Sequence, residues 1–179
     1  MARERPTQTP FGDFKYDNEI LEAEFSKEPR LTQNTVSFRN QTYFFLEREF
    51  SNAAGVEERT PAGKSPPIRF TGVARTLIDS AVSPHYVDED KLLELYRAGG
   101  AKTSVEELSE VYKQISLRYP YWQRVGYLLD LTTHKSLATE WLARFGKPRY
   151  RFYFTKGYDD SWQWNERWNL AYPPTLERD

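Results

Sequence analysis

Pro67-Ile68-Arg69-Phe70-Thr71-Gly72-Val73-Ala74-Arg75-Thr76-Leu77-Ile78-Asp79-Ser80-Ala81-Val82-Ser83-Pro84 is the stretch in which the hydrophobic period of the chain changes. Its opening residues mix β-branched and aromatic side chains behind a proline, the pattern of a short strand. From Ala74 onward the apolar residues are Ala74, Leu77, Ile78, Ala81 and Val82, spaced as one face of an α-helix. Thr71 is placed to cap that helix and Ser83-Pro84 to stop it. The segments from about residue 35 up to it are strand-like and the next sixty residues are helical, so the expected class is α+β with an antiparallel sheet.

Working outward toward the N-terminus, Gly55–Thr60 is a second strand candidate across a Pro/Gly loop at 61–67. Thr35–Phe38 and Thr42–Leu46 flank Arg39-Asn40-Gln41 and read as a hairpin. A short helix is expected over Asp17–Phe25 with Ile20, Leu21 and Phe25 inward, and residues 1–12 as a loose tail.

Toward the C-terminus, Asp88 or Asp90 opens a helix carrying Leu92, Leu95 and Tyr96, closed by Gly99-Gly100. Ser104 and Glu107 form a capping box worth about 1 kcal/mol ahead of Val105, Leu108, Val111, Tyr112 and Ile115. Pro120 suits the first turn of a helix with Trp122, Val125, Gly126 and Leu129. Leu137, Ala138, Trp141, Leu142 and Phe145 mark a last helix, ended by Gly146. Arg149–Phe154 and Trp168–Tyr172 return to strand, around a turn at Gly157–Asp160. The expectation is therefore an N-terminal hairpin or sheet, a central bundle of about five helices, and C-terminal strands returning to that sheet. All of it falls in one domain over residues 13–179.

Composition narrows the function classes. Hydrophobic residues are 39% of the 179, and mean hydropathy is -0.78, which is lean for a core. Aromatics at 16% compensate, since each buries about 150–250 Å². The absence of cysteine removes disulfides, thiolate nucleophiles and cysteine-based zinc sites, and fits a cytoplasmic setting. The first residues lack the apolar run of a signal peptide, and no stretch approaches a membrane span. On that ground the Asn40-Gln41-Thr42 sequon is a turn and not a glycosylation site. Charge is balanced, 25 basic against 26 acidic residues, where a dedicated nucleic-acid binder shows a basic excess. That balance leaves a local patch open.

The usual catalytic patterns are missing. Gly63-Lys64-Ser65 resembles the end of a phosphate loop, but Glu58 stands where its first glycine belongs and Pro66-Pro67 follows where a helix should start. His85, Asp88 and Asp90 could offer metal ligands, yet an aspartate there is better read as a helix cap, and His134 is distant. No cofactor and no metal are expected. Paired carboxylates remain an option for catalysis, with Asp79, Asp159 and Asp160 as the residues to watch. Arg75 and Asp79 are four apart at the border of the first helix's apolar stripe, either an ordinary ion pair or part of a cleft. Arg118-Tyr119-Pro120-Tyr121-Trp122-Gln123-Arg124 mixes cations and aromatics at a helix junction. It either fills the core or forms a contact surface for protein or nucleic acid. Trp162, Trp164 and Trp168 read as core.

Three segments together resemble a known family. They are Ile68–Asp79 with Ser83-Pro84; Thr103-Ser104-Val105 with Tyr119–Tyr127; and Phe152-Tyr153-Phe154 with Arg167–Pro173. In order and spacing, with Gly55-Val56-Glu57 ahead of them, they are similar to the C-terminal domain of AbiEi-type antitoxins of type IV toxin–antitoxin systems. The resemblance covers about residues 30–174. It implies a non-catalytic antitoxin that counteracts a nucleotidyltransferase-like toxin, often without a stable complex. In the family, autorepression uses an N-terminal winged helix-turn-helix, and no such module is legible before residue 30. The expected contact residues are Arg75, Asp79, Arg118, Tyr119, Tyr121 and Arg124. The alternative is a DNA- or RNA-binding regulator.

Overall fold

Asp17 accepts a hydrogen bond from the Ile20 amide and so starts α1 (Asn18–Phe25), which buries Leu21 and Phe25. Ile20, expected inward, stays half exposed. The computed structural model describes residues 17–45, 53–60 and 66–176, so the expected tail, the phosphate-loop look-alike and most of the 61–67 loop lie outside them.

Two antiparallel hairpins follow. β1 (Thr35–Phe38) pairs with β2 (Gln41–Phe44), Val36 opposite Tyr43 and Phe38 opposite Gln41. Arg39 and Asn40 alone form the turn, with φ of 50° and 60°, the left-handed backbone a two-residue hairpin requires. β3 (Val56–Arg59) pairs with β4 (Ile68–Thr71).

The five expected central helices are present: α2 (Val73–Val82), α3 (Glu89–Gly100), α4 (Val105–Ile115), α5 (Trp122–Leu131) and α6 (Lys135–Phe145). Their apolar stripes meet in one core that includes Leu77, Ile78, Leu92, Leu108, Leu128 and Trp141. Several details differ from expectation for local reasons. Thr71 does not cap α2; Gly72 holds that position, and the Thr71 hydroxyl pairs with Thr76 Oγ1 instead. Gly99 and Gly100 close α3 as expected, from inside its last turn, where Leu77 and the His134 ring stand in the place a Cβ would take. Ser104 caps the Glu107 amide as expected, while the Glu107 carboxylate takes its bond from the Thr103 hydroxyl. At the start of α5 the Trp122 amide donates to Tyr112 Oη, a cap supplied from α4.

The C-terminal strands are β5 (Phe152–Tyr153), β6 (Gln163–Asn165) and β7 (Leu170–Tyr172), ordered β5-β7-β6. They do not return to the N-terminal hairpins. Among the described residues they form a third, separate sheet, in which β5 and β7 run parallel. Phe152, Tyr153 and Phe154 are all buried, so the strand does not alternate between core and solvent. The α+β class holds, with strands at both ends and helices between. No helix among the described residues is long and apolar enough to cross a membrane.

Candidate functional site

Arg124 lies on α5 with 2% of its surface exposed. Its Nε donates to the Tyr153 carbonyl at 2.8 Å, and its Nη1 to the Ala81 and Val82 carbonyls at 2.9 and 3.3 Å. Phe152, Tyr121 and Phe25 place their rings 4.7, 5.0 and 5.4 Å from the guanidinium carbon. Ala81 and Val82 end α2, where helix carbonyls carry partial negative charge, so the cation compensates that terminus. Beside it, Gln123 Nε2 reaches the carbonyls of Trp168, Tyr150 and Asn169 at 2.7, 3.1 and 3.2 Å. Two adjacent side chains thus tie α5 to α2, to β5 and to the approach to β7.

Arg75 is also interior, 4% exposed. Its Nε meets Asp79 Oδ2 at 2.9 Å, and its Nη1 donates to the Ala54 carbonyl at 2.7 Å. Gly55 follows with φ +64°, and a Cβ there would stand 2.7 Å from Arg75 Cβ. The pair therefore seats the start of β3 on α2, which a solvent-exposed ion pair would not do. Asp79 keeps partial access to solvent.

Of the six expected contact residues, Arg75, Tyr121 and Arg124 are corrected: each is inside the fold, Tyr121 at 5% exposure, and none presents its side chain to a partner. The reason is shared. A planar cation can be fully satisfied by backbone carbonyls and rings, so a cation-rich, aromatic stretch is compatible with burial. Asp79, Arg118 and Tyr119 remain partly accessible, with Arg118 lying 5.5 Å over the Tyr119 ring. Asp79 stays paired with Arg75 on α2, whereas Arg118 and Tyr119 lie in the segment between α4 and α5.

The remaining candidates resolve individually. Asp88 caps α3 through the Asp90 and Lys91 amides, and the His85 ring packs on Tyr86 at 4.4 Å. Trp168 is core, whereas Trp164 is exposed with Arg151 over its ring. Asp79 pairs with Arg75, while Asp159 and Asp160 line an open groove with Glu19, Glu22 and Tyr158 that Asp79 does not line. The Ser161 hydroxyl and amide hold the Asp159 carboxyl below its usual range. Burial, aided by the Glu22 charge, pushes the nearby Tyr153 hydroxyl up to about 12. Hydrogen bonds from Lys156 and Lys27 hold the Glu24 carboxyl low. Glu24 therefore adds stability at neutral pH, which fades as pH falls through its depressed value.

Sequence reasoning missed the most exposed apolar surface. Val36, Phe38, Tyr43, Phe44 and Phe45 in the first hairpin, and Ile68 in the second, are all exposed. The hairpin was legible, but which of its faces the body would cover was not. Compared with family models, curated proteins and solved structures, the chain matches none.

Proposed function

We propose that the chain is an antitoxin-type regulatory domain that counteracts a nucleotidyltransferase-like toxin through its surface, without catalysing a reaction. One observation supports this reading. The three segments that carry the resemblance are far apart in sequence but belong to one packed unit. Arg124 and Gln123, in the second segment, bond to Ala81 and Val82 beside the first and to Tyr153, Trp168 and Asn169 of the third. That these segments pack against one another supports reading them as a single structural unit.

The contact surface in this reading centres on Arg118 and Tyr119, with Asp79 as a separate accessible point. The protein acts in the cytoplasm, and the reading calls for no cofactor or metal. The test is co-expression with a nucleotidyltransferase-like gene adjacent to this one. The expected result is restored growth, weakened by Arg118→Glu. Failure of the wild-type chain to restore growth overturns the reading. Full rescue by Arg118→Glu overturns only the surface assignment.

A further inference from the structure

We infer that the β1–β2 hairpin is a platform for a short stretch of single-stranded RNA. Every residue from Gln33 to Phe45 is exposed. A two-stranded ribbon is marginal in water without a covered face. Its attachment to the body runs through Tyr86, whose ring meets Phe44 at 5.3 Å and whose Oη accepts from the Thr32 amide at 2.9 Å. The register sets Phe44 on one face with Thr35, Ser37 and Thr42, and Val36, Phe38, Tyr43 and Gln41 on the other. The anchored face is thus rich in hydroxyls, and the opposite face is apolar and open, with Phe38 56% and Tyr43 46% exposed. Single-faced sheets ordinarily do the reverse.

Charge selects among occupants. The chain has 26 acidic residues and a net charge of -1, yet Pro29–Phe45 holds Arg30 and Arg39 and no Asp or Glu. Arg39 occupies left-handed backbone at the tip, a conformation that disfavours side chains other than Asn, Asp and Gly. Its guanidinium carbon lies 5.1 Å from the Phe38 ring centre, so cation and π-face are presented together. Gln41 Oε1 accepts from Tyr43 Oη at 2.9 Å, which leaves its Nε2 to donate to a base edge or ribose hydroxyl. An unpaired RNA strand offers flat bases to Phe38 and Tyr43, a phosphate to Arg39, and a 2′-hydroxyl or base edge to the Gln41 carboxamide on the same face. A duplex hides its base faces. The balanced charge of the whole chain argues against a long basic track but not against a platform for two or three nucleotides.

The test is fluorescence anisotropy of a labelled oligouridylate of about a dozen nucleotides against the full chain, at about 50 and about 200 mM salt. Binding is expected at the lower salt and weaker at the higher. Phe38→Ala with Tyr43→Ala should weaken it about tenfold or more through lost stacking. Arg39→Glu should weaken it and flatten its salt dependence. Both variants should melt as the wild type does, since the altered side chains are exposed. No binding at about 100 μM protein and low salt, or unchanged affinity in the double variant, overturns the proposal. Equal affinity for an oligothymidylate overturns the assignment to RNA. A hairpin-dependent complex with a protein that forms without RNA binding overturns it in favour of a protein partner.

Discussion

The helical body and the β1–β2 hairpin draw on the same aromatic residues and treat them in opposite ways. Trp141, Phe152 and Trp168 have no exposed surface, while Phe38, Tyr43 and Phe45 keep about half of theirs. In the body each ring meets a second element: Trp141 stands edge-on to Tyr112, and Trp122 stacks on Phe145 at 5.1 Å. In the hairpin one ring, Phe44, finds the body, and the opposite face meets none of the described residues closely enough to be covered. Burial is thus decided by what a chain segment lies against, and aromatic content says only how much area is at stake. The body uses that area for stability; the hairpin holds it in reserve for binding.

The sharpest way to break this comparison is Arg124→Ala. Its loss strands three buried carbonyls, each costing about 1–3 kcal/mol. We expect a loss of about 3–5 kcal/mol, read from the urea midpoint, or failure to fold. A loss near the scale of a surface substitution would mean that α2, α5 and β5 hold together without it. Next comes Gly126→Ala. A Cβ at Gly126 would stand 2.0 Å from Trp168 Cζ3, so the indole and the segment before β7 must move. Overpacking of this kind costs about 1–3 kcal/mol, measurable by thermal melting. The smallest effect belongs to the hairpin. Val36→Ser with Phe38→Ser should change stability by no more than about 0.5 kcal/mol, since both side chains are exposed. A larger loss would show that the hairpin helps hold the body together.

The helices were legible because each carries a full apolar stripe and a local punctuation mark: Ser104 before α4, Gly146 after α6, Asp88 before α3. Periodicity needs only neighbouring residues to be read. The sheet topology was not legible for the converse reason. β5 and β6 are two and three residues long, and which strand they join depends on contacts across the helical body. The candidate site fared unevenly. The Arg75–Asp79 pairing could be read from i,i+4 spacing, but the Ala54 carbonyl that draws Arg75 inward lies 21 positions away. Likewise, nothing near Arg124 in sequence announces that α2 and β5 will supply its acceptors. Spacing names the pairs a helix brings together and is silent on where the helix itself will be packed.

β7 is the middle strand of its sheet, and the Trp168 ring just before it fills the space over Gly126. A ribosome delivers α2 through α6 well before that strand. Until Asn169 has emerged, Gln123 lacks two of its acceptors, and until β7 is complete β5 and β6 have nothing to join. A stop codon or a prolonged pause upstream of Trp168 therefore leaves a set of helices with their apolar faces bare, a substrate for proteases and chaperones in place of a smaller folded protein.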